Sequence, residues 1–248
     1  MHAQPGRPVR AASAFSFPPR FPVVALVLFA AAFLAGAGHA KGSRSRFSFE
    51  NTDGLEIINT KVEAVTYRGR KAVRLLDQPG QIQQGVANGN TIAVLTGTDF
   101  NEGTIEVDVA GGPRTGAEEG ARGFIGIAFH VRDGGSRFDC FYLRPTNGRA
   151  EDQLRRNHAT QFIAEPEFPW QRLRKEFPGV YESYVDLEAG AWTHLRIEVA
   201  GGKARLYVNG AKQPTLLVND VKHGPSHGPV ALWIGQDTDG YFSNLAID

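Results

Sequence analysis

The sequence predicts an all-β protein built as a two-sheet antiparallel sandwich, and three observations carry that prediction. Apolar and polar residues alternate in many short runs, Gly-rich or two-residue turns separate the runs, and no stretch of ordinary helix length repeats apolar residues at helical spacing. A dozen or so strands at this spacing, with no helices and no internal repeat, fit two packed sheets.

The clearest case is 192–210, WTHLRIEVAGGKARLYVNG. Leu195, Ile197 and Val199 alternate with His194, Arg196 and Glu198. After Gly201-Gly202 the alternation resumes, with Ala204, Leu206 and Val208 against Lys203, Arg205 and Tyr207. Glycine supplies the positive φ that a two-residue hairpin turn needs, so the run reads as two paired strands. Asn209-Gly210 ends the second.

The other elements follow in chain order. Residues 41–46, KGSRSR, read as a flexible lead-in. Strands are expected at 46–50, 55–59, 63–67 and 71–76, then a Gly-, Gln- and Asn-rich loop at 77–90 and a strand at 91–95. Ile105, Val107 and Val109 alternate with Thr104, Glu106 and Asp108 in 103–109, and 111–123 is a Gly-rich charged loop. The strand at 124–131 is apolar on both faces, which places it in a sheet centre or lining a cleft. A strand at 138–144 follows. Residues 145–179 form an irregular insertion with four prolines, in which only 160–164 reads as strand. Long insertions in compact β domains are more often functional than not. Strands at 181–187, 215–218, 230–234 and 241–247 complete the set.

Residues 1–40 read as a secretory signal peptide. Arg7, Arg10 and Arg20 make a basic start, 21–37 is apolar, and Gly38-His39-Ala40 offers small residues for cleavage. The rival reading is an uncleaved anchor, but the apolar run is shorter than the roughly 20 residues of a spanning helix and contains Pro22 and Gly36. A secreted or periplasmic location follows, with no membrane span after cleavage. Taking those three arginines from the 27 Lys and Arg leaves 24 basic against 26 acidic residues, a net charge of −2. That balance offers no basic surface for nucleic acid. Cys140 is the only cysteine, so the 47–248 domain rests on its core rather than on an intrachain disulfide.

The 192–210 hairpin resembles that of concanavalin A-like lectin/glucanase domains, together with laminin-G-like domains and those named for 3-keto-disaccharide hydrolases. The closing stretch GPVALWIGQDTDGYFSNLAI, 228–247, is similar to that superfamily's last two strands, and FNEGTIEVDV at 100–109 and 123–130 are similar to earlier ones. The resemblance implies a jelly-roll sandwich whose concave face carries carbohydrate. It leaves open a lectin, a glycoside hydrolase or lyase, and a protein-binding adhesion module, because one sandwich hosts all three.

Glu106-Val107-Asp108 resembles the start of the E-x-D-x-x-E motif of family-16 glycoside hydrolases, but position 111, where the last glutamate belongs, is Gly111. Retaining hydrolysis needs both carboxylates, so the pair reads instead as the solvent face of a strand. The better candidate site is 144–184. Arg144, Asn147, Arg156, Asn157, His158, Gln161, Trp170, Arg172 and Tyr181, with Tyr142 beside them, supply the aromatic faces and planar hydrogen-bonding groups that sugars require. Seven basic residues stand against four acidic ones between Arg144 and Lys175, which suits an anionic carbohydrate. The alternative is a solvated loop pinned to the sandwich by Phe162, Phe168 and Trp170.

If Phe141 and Leu143 face the core, alternation turns Cys140, Tyr142 and Arg144 outward. The same rule turns His130 outward and gathers it with Tyr142 and Arg144 under the insertion. His130, His158 and Glu182 are the acid/base candidates, with a structural role as the alternative for a lone strand histidine. Asp237 and Asp239, in Asp-Thr-Asp-Gly, are candidate calcium ligands or an ordinary turn. Nothing resembles a zinc, nucleotide or haem motif.

Overall fold

A computed structural model describes residues 44–77 and 91–248. The expected signal segment, half of the lead-in and 78–90 of the expected loop lie outside the described residues. Among the described residues no helix is long and apolar enough to cross a membrane.

In chain order the strands are β1 (Ser45–Phe47), β2 (Leu55–Ile58), β3 (Thr60–Tyr67), β4 (Arg70–Asp77), β5 (Ile92–Leu95), β6 (Gly103–Pro113), β7 (Ile125–Arg132) and β8 (Arg137–Leu143). Then come a short helix α1 (Gln153–Asn157), β9 (Thr160–Glu165), a second helix α2 (Trp170–Glu176), β10 (Glu182–Ser183), β11 (Thr193–Ala200) and β12 (Lys203–Val208). β13 (Leu216–Val218), β14 (Ala231–Ile234) and β15 (Thr238–Ile247) close the fold. One antiparallel sheet has the order β13-β12-β11-β6-β15-β4-β3, with β1 beside β15, and the other runs β10-β9-β8-β7-β14-β5-β2.

The two sheets pack as the sandwich that the alternation predicts. Ile105, Val107, Val109, Leu195, Ile197, Leu75 and Phe242 of the first sheet are fully buried, as are Ile125, Ile127, Phe141, Leu143, Phe162 and Ile234 of the second. Ile125 and Ile234 reach Gly240 across the gap. Gly201 and Gly202 both have positive φ and join β11 to β12 through the Ala200–Lys203 pair, the tight turn expected of a Gly-Gly hairpin.

Several boundaries differ from the sequence expectation. β1 starts at Ser45, inside the expected lead-in, because Ser45 and Phe47 pair with Ile247 and Leu245. β6 runs on through Gly111, Gly112 and Pro113, residues of low strand preference, because Thr238–Asp239–Gly240 lie against them. Those three residues were therefore strand, not turn. β10 is only Glu182–Ser183, since its neighbour β9 begins at Thr160, the partner of Ser183, and nothing continues the ladder beyond. The two short helices fall inside the insertion. α1 is capped by Asp152, whose carboxylate accepts from the Arg155 N–H at 3.0 Å. At five and seven residues, neither shows its period in the sequence.

The outer face of the second sheet carries the feature that positions the site. Glu182, Gln161, Tyr142, Gly126 and Trp233 form one row across five strands. The rings of Tyr142 and Trp233 lie 4.9 Å apart. Gly126 stands between them because a Cβ there would meet Phe141 O at 2.1 Å and Tyr142 Cβ at 2.6 Å.

Candidate functional site

A cleft of about 410 Å³ opens above the Arg144 end of that face. Alternation puts Arg144 on the same face as Tyr142, two residues earlier on β8. Phe124, just before β7, supplies apolar floor beside it. One wall is Trp170 and Arg174 of α2 with Asn147, Arg155 and His158, and the other is the 118–122 loop with Gln236 and Asp237.

Arg144 is only 5% exposed and is held rigidly. Its Nη1 donates to the His158 carbonyl at 2.9 Å, and its Nη2 donates to the Tyr142 hydroxyl at 2.8 Å and Gln161 Oε1 at 3.2 Å. The guanidinium lies over the rings of Tyr142 and Phe124, at 4.9 and 5.8 Å. Gln161 is locked in turn by donating to the Tyr181 and Phe162 carbonyls, each at 3.0 Å. Asn147 Nδ2 donates to the His158 carbonyl at 3.2 Å, and its Oδ1 accepts from Arg155 Nε at 3.4 Å. These polar groups are fixed before any ligand arrives.

His158 and Arg174 form a ridge between this cleft and a neighbouring depression of about 610 Å³, lined by Leu154, Asn157, Glu182 and Tyr184. Glu182, 8% exposed, takes Arg174 Nη2 at 2.7 Å and Nε at 3.2 Å, and its Oε2 stands 2.7 Å from His158 Nδ1. That last approach is close but not aligned as a hydrogen bond. Burial lowers the His158 pKa below the usual 6.5, with the Arg174 and Arg144 charges adding to it, against the opposing pull of Glu182.

Other sequence candidates lie elsewhere. Arg156 donates to the Tyr184 hydroxyl at 2.9 Å and stacks on that ring, outside the cleft. Arg172 is tied to Glu176 and the Glu167 carbonyl over the Phe168 ring. Tyr181 is buried against Phe162 and Phe177, with its hydroxyl donating to Asp220 at 2.6 Å. Asn157 lines the neighbouring depression and not the cleft.

His130 departs most from expectation. β7 carries a register shift after Phe129, and His130 sits there at φ +54°. The bulge breaks the alternation and turns the ring to the same side as Phe129, where it stacks near Phe100 and binds Asp139 Oδ2 at 3.0 Å. It does not join Tyr142 and Arg144. Asp237 and Asp239 are likewise separated. Asp237 lines the cleft and pairs with Arg114 at 2.7 Å, whereas Asp239 pairs with Arg74 at 2.8 Å on the first sheet. No group of three or more His, Cys, Asp or Glu is placed to hold a metal ion among the described residues. Glu106 and Asp108 stand on the outer face of the first sheet. Asp108 is engaged by Arg70, His194 and Asn244, and Glu106 by Arg44.

The sequence reading missed Phe124, Arg122, Glu118 and Glu119, which come from the Gly-rich loop and the strand after it, and Gln236. Arg174 belongs to the 144–184 stretch but not to its short list of contacts. No local pattern marks these residues, because they meet Arg144 only through sheet pairing.

His158 and His194, each against a carboxylate, are expected to titrate in opposite directions. The His194 pKa is raised above 6.5 by its hydrogen bond to Asp108, so its stabilising contribution is full below 6.5 and is lost as pH rises through the folded value. The His158 value is lowered, so its contribution is present above 6.5 and is lost as pH falls through the folded value. Histidine C–H resonances followed by NMR should give midpoints on opposite sides of 6.5. Coincident midpoints would contradict the two environments.

No family model and no curated protein matches the sequence. Among solved structures, the carbohydrate-binding module CBM66 from Bacillus subtilis is similar, with a TM-score of 0.51 at 12% identity, covering 79% of this chain and 96% of that one. A protein of unknown function with a galectin-like fold from Bacillus subtilis gives 0.51 at 12% identity, covering 82% and 94%. Domain 4 of AbnA, a GH43 extracellular arabinanase from Geobacillus stearothermophilus in complex with arabinotriose, gives 0.44 at 17% identity, covering 82% and 90%. The likeness shows the fold, a two-sheet antiparallel jelly roll of the concanavalin A-like kind that the sequence resembles.

Proposed function

We propose that the chain is an exported carbohydrate-binding domain that holds a glycan in the Arg144 cleft. The observation that carries this reading is the pairing of aromatic surface, Phe124 and Trp170, with polar groups already locked in place, Arg144 and Asn147. Sugars present apolar C–H faces and a ring of hydroxyls, and rigid aromatic and planar donor groups answer both. The shared fold with a carbohydrate-binding module is consistent with it. The apolar segment 21–37 behind a basic start supports export.

The Glu182–His158 contact favours a second reading, an enzyme acting on glycosidic bonds, with that pair as acid/base at the cleft edge.

A glycan array probed with the purified protein, with and without calcium, tests both. Binding to a restricted set of glycans is expected, and Trp170→Ala should weaken it about tenfold, the scale of a lost aromatic contact. Released fragments that disappear in Glu182→Gln would move the assignment to the enzyme. Absence of binding, or a Trp170→Ala variant of unchanged affinity, would overturn the carbohydrate reading of this cleft.

A further inference from the structure

The cleft holds more positive charge than its own carboxylates neutralise. Four arginines line it. Arg174 is matched by Glu182 at 2.7 Å, and the acidic Asp237 is already matched by Arg114. Arg122, Arg144 and Arg155 have no carboxylate within 4.0 Å among the described residues. Arg122 bonds to the Gly120 carbonyl and Arg155 to the Asn147 amide oxygen. Glu118 and Glu119 lie on the exposed rim and pair with none of the three.

Arg144 is the costly member. A buried cation is normally compensated by an anion, yet its acceptors are neutral: a carbonyl, a hydroxyl and an amide. Three of its five N–H groups are used there, and two have no acceptor among the described residues. Burial lowers the pKa of both Arg144 and Arg122, and the charges of Arg155 and Arg144 lower that of Arg122 further, so Arg122 feels both of the others. Such a cluster suits an oxyanion, which would relieve the repulsion on Arg122 and accept the spare donors in a forked geometry.

We infer that Arg122, Arg144 and Arg155 form a subsite for an oxyanion carried by the saccharide, either the carboxylate of a uronic acid or a sulfate ester. This inference rests on the carbohydrate reading of the cleft and adds the chemical class of sugar.

The test is isothermal titration of the full chain with an oligogalacturonide, its methyl ester and a sulfated oligosaccharide. The free acid or the sulfated sugar should bind more tightly than the neutral ester, and the one that does identifies the source of the oxyanion. That preference should shrink when salt is raised from ~20 mM to ~500 mM. Arg122→Gln and Arg155→Gln are partly exposed and expected to fold, as circular dichroism checks. Each should weaken binding of the acidic sugar about tenfold or more while leaving the neutral ester nearly unchanged. Arg144→Met should abolish the preference, but a failure to fold there leaves the other two variants to decide. Equal binding of acid and ester, unaffected by either Gln variant, would overturn the subsite and leave the carbohydrate reading standing. No binding of any saccharide would overturn both.

Discussion

Trp233→Ala is expected to destabilise the protein by about 3–5 kcal/mol, the range for removing a fully buried large aromatic. Trp233 is 0% exposed, at the β14 end of the row that runs from Glu182 through Tyr142. It packs on the Tyr142 ring across the space that Gly126 leaves empty, and Tyr142 in turn carries the Arg144 guanidinium. The cavity therefore opens under the cleft floor. For a domain near 200 residues the loss corresponds to a fall of roughly 6–20 °C in Tm. Trp233→Phe should cost less than about 1.5 kcal/mol by comparison, because it keeps most of the ring and the indole N–H has no acceptor to lose. Thermal melts of both variants check this. An alanine variant melting within a degree or so of the wild type would show that the row does not support the floor.

Asp139→Ala should cost about 1–3 kcal/mol or more, by leaving buried hydrogen-bonding groups of His130 without their partner. Asp139 is 0% exposed and binds His130 Nδ1 at 3.0 Å, while His130 Nε2 faces the Asn101 carbonyl at 2.9 Å. Both ring nitrogens are thus held, one by the Asp139 carboxyl group and one by a backbone carbonyl. On the other side of Asp139 the His223 Nδ1 stands at 3.4 Å, and His223 Nε2 reaches Glu167 at 3.0 Å. The carboxylate therefore ties β7, β8 and the loops that carry Asn101 and His223 into one corner of the sandwich. Arg144 lies five positions further along the chain, roughly 16 Å away at a strand's rise. Denaturant unfolding should show the loss, while glycan affinity of the folded fraction stays close to wild type. A variant that keeps its stability but loses glycan binding would instead give this corner a role in the site.

The outer face of the second sheet marks where sequence reading succeeds and fails. Alternation places Tyr142 and Arg144 on one side of β8, and the Arg144 guanidinium does lie over the Tyr142 ring. The same rule misplaces His130, because a single bulged residue inverts the parity behind it. Arg144, Asn147, His158 and Trp170 are recognisable as candidates from their chemistry, and the cleft does contain them. Arg156, Arg172 and Tyr181 look equivalent in sequence but are taken up by Tyr184, Glu176 and Asp220.

By itself the sequence determined the class of fold and the Gly-Gly hairpin, and it singled out the segment that supplies one wall of the cleft. Those depend on local periodicity and on backbone freedom at glycine, which neighbouring residues decide. Only the tertiary structure decided where β6 and β10 end, which way His130 points, and that Arg122 and Phe124 join Arg144 in one cleft. Each of these depends on a partner strand or loop distant in the chain, and on which charges are left without a carboxylate once the sheets have closed.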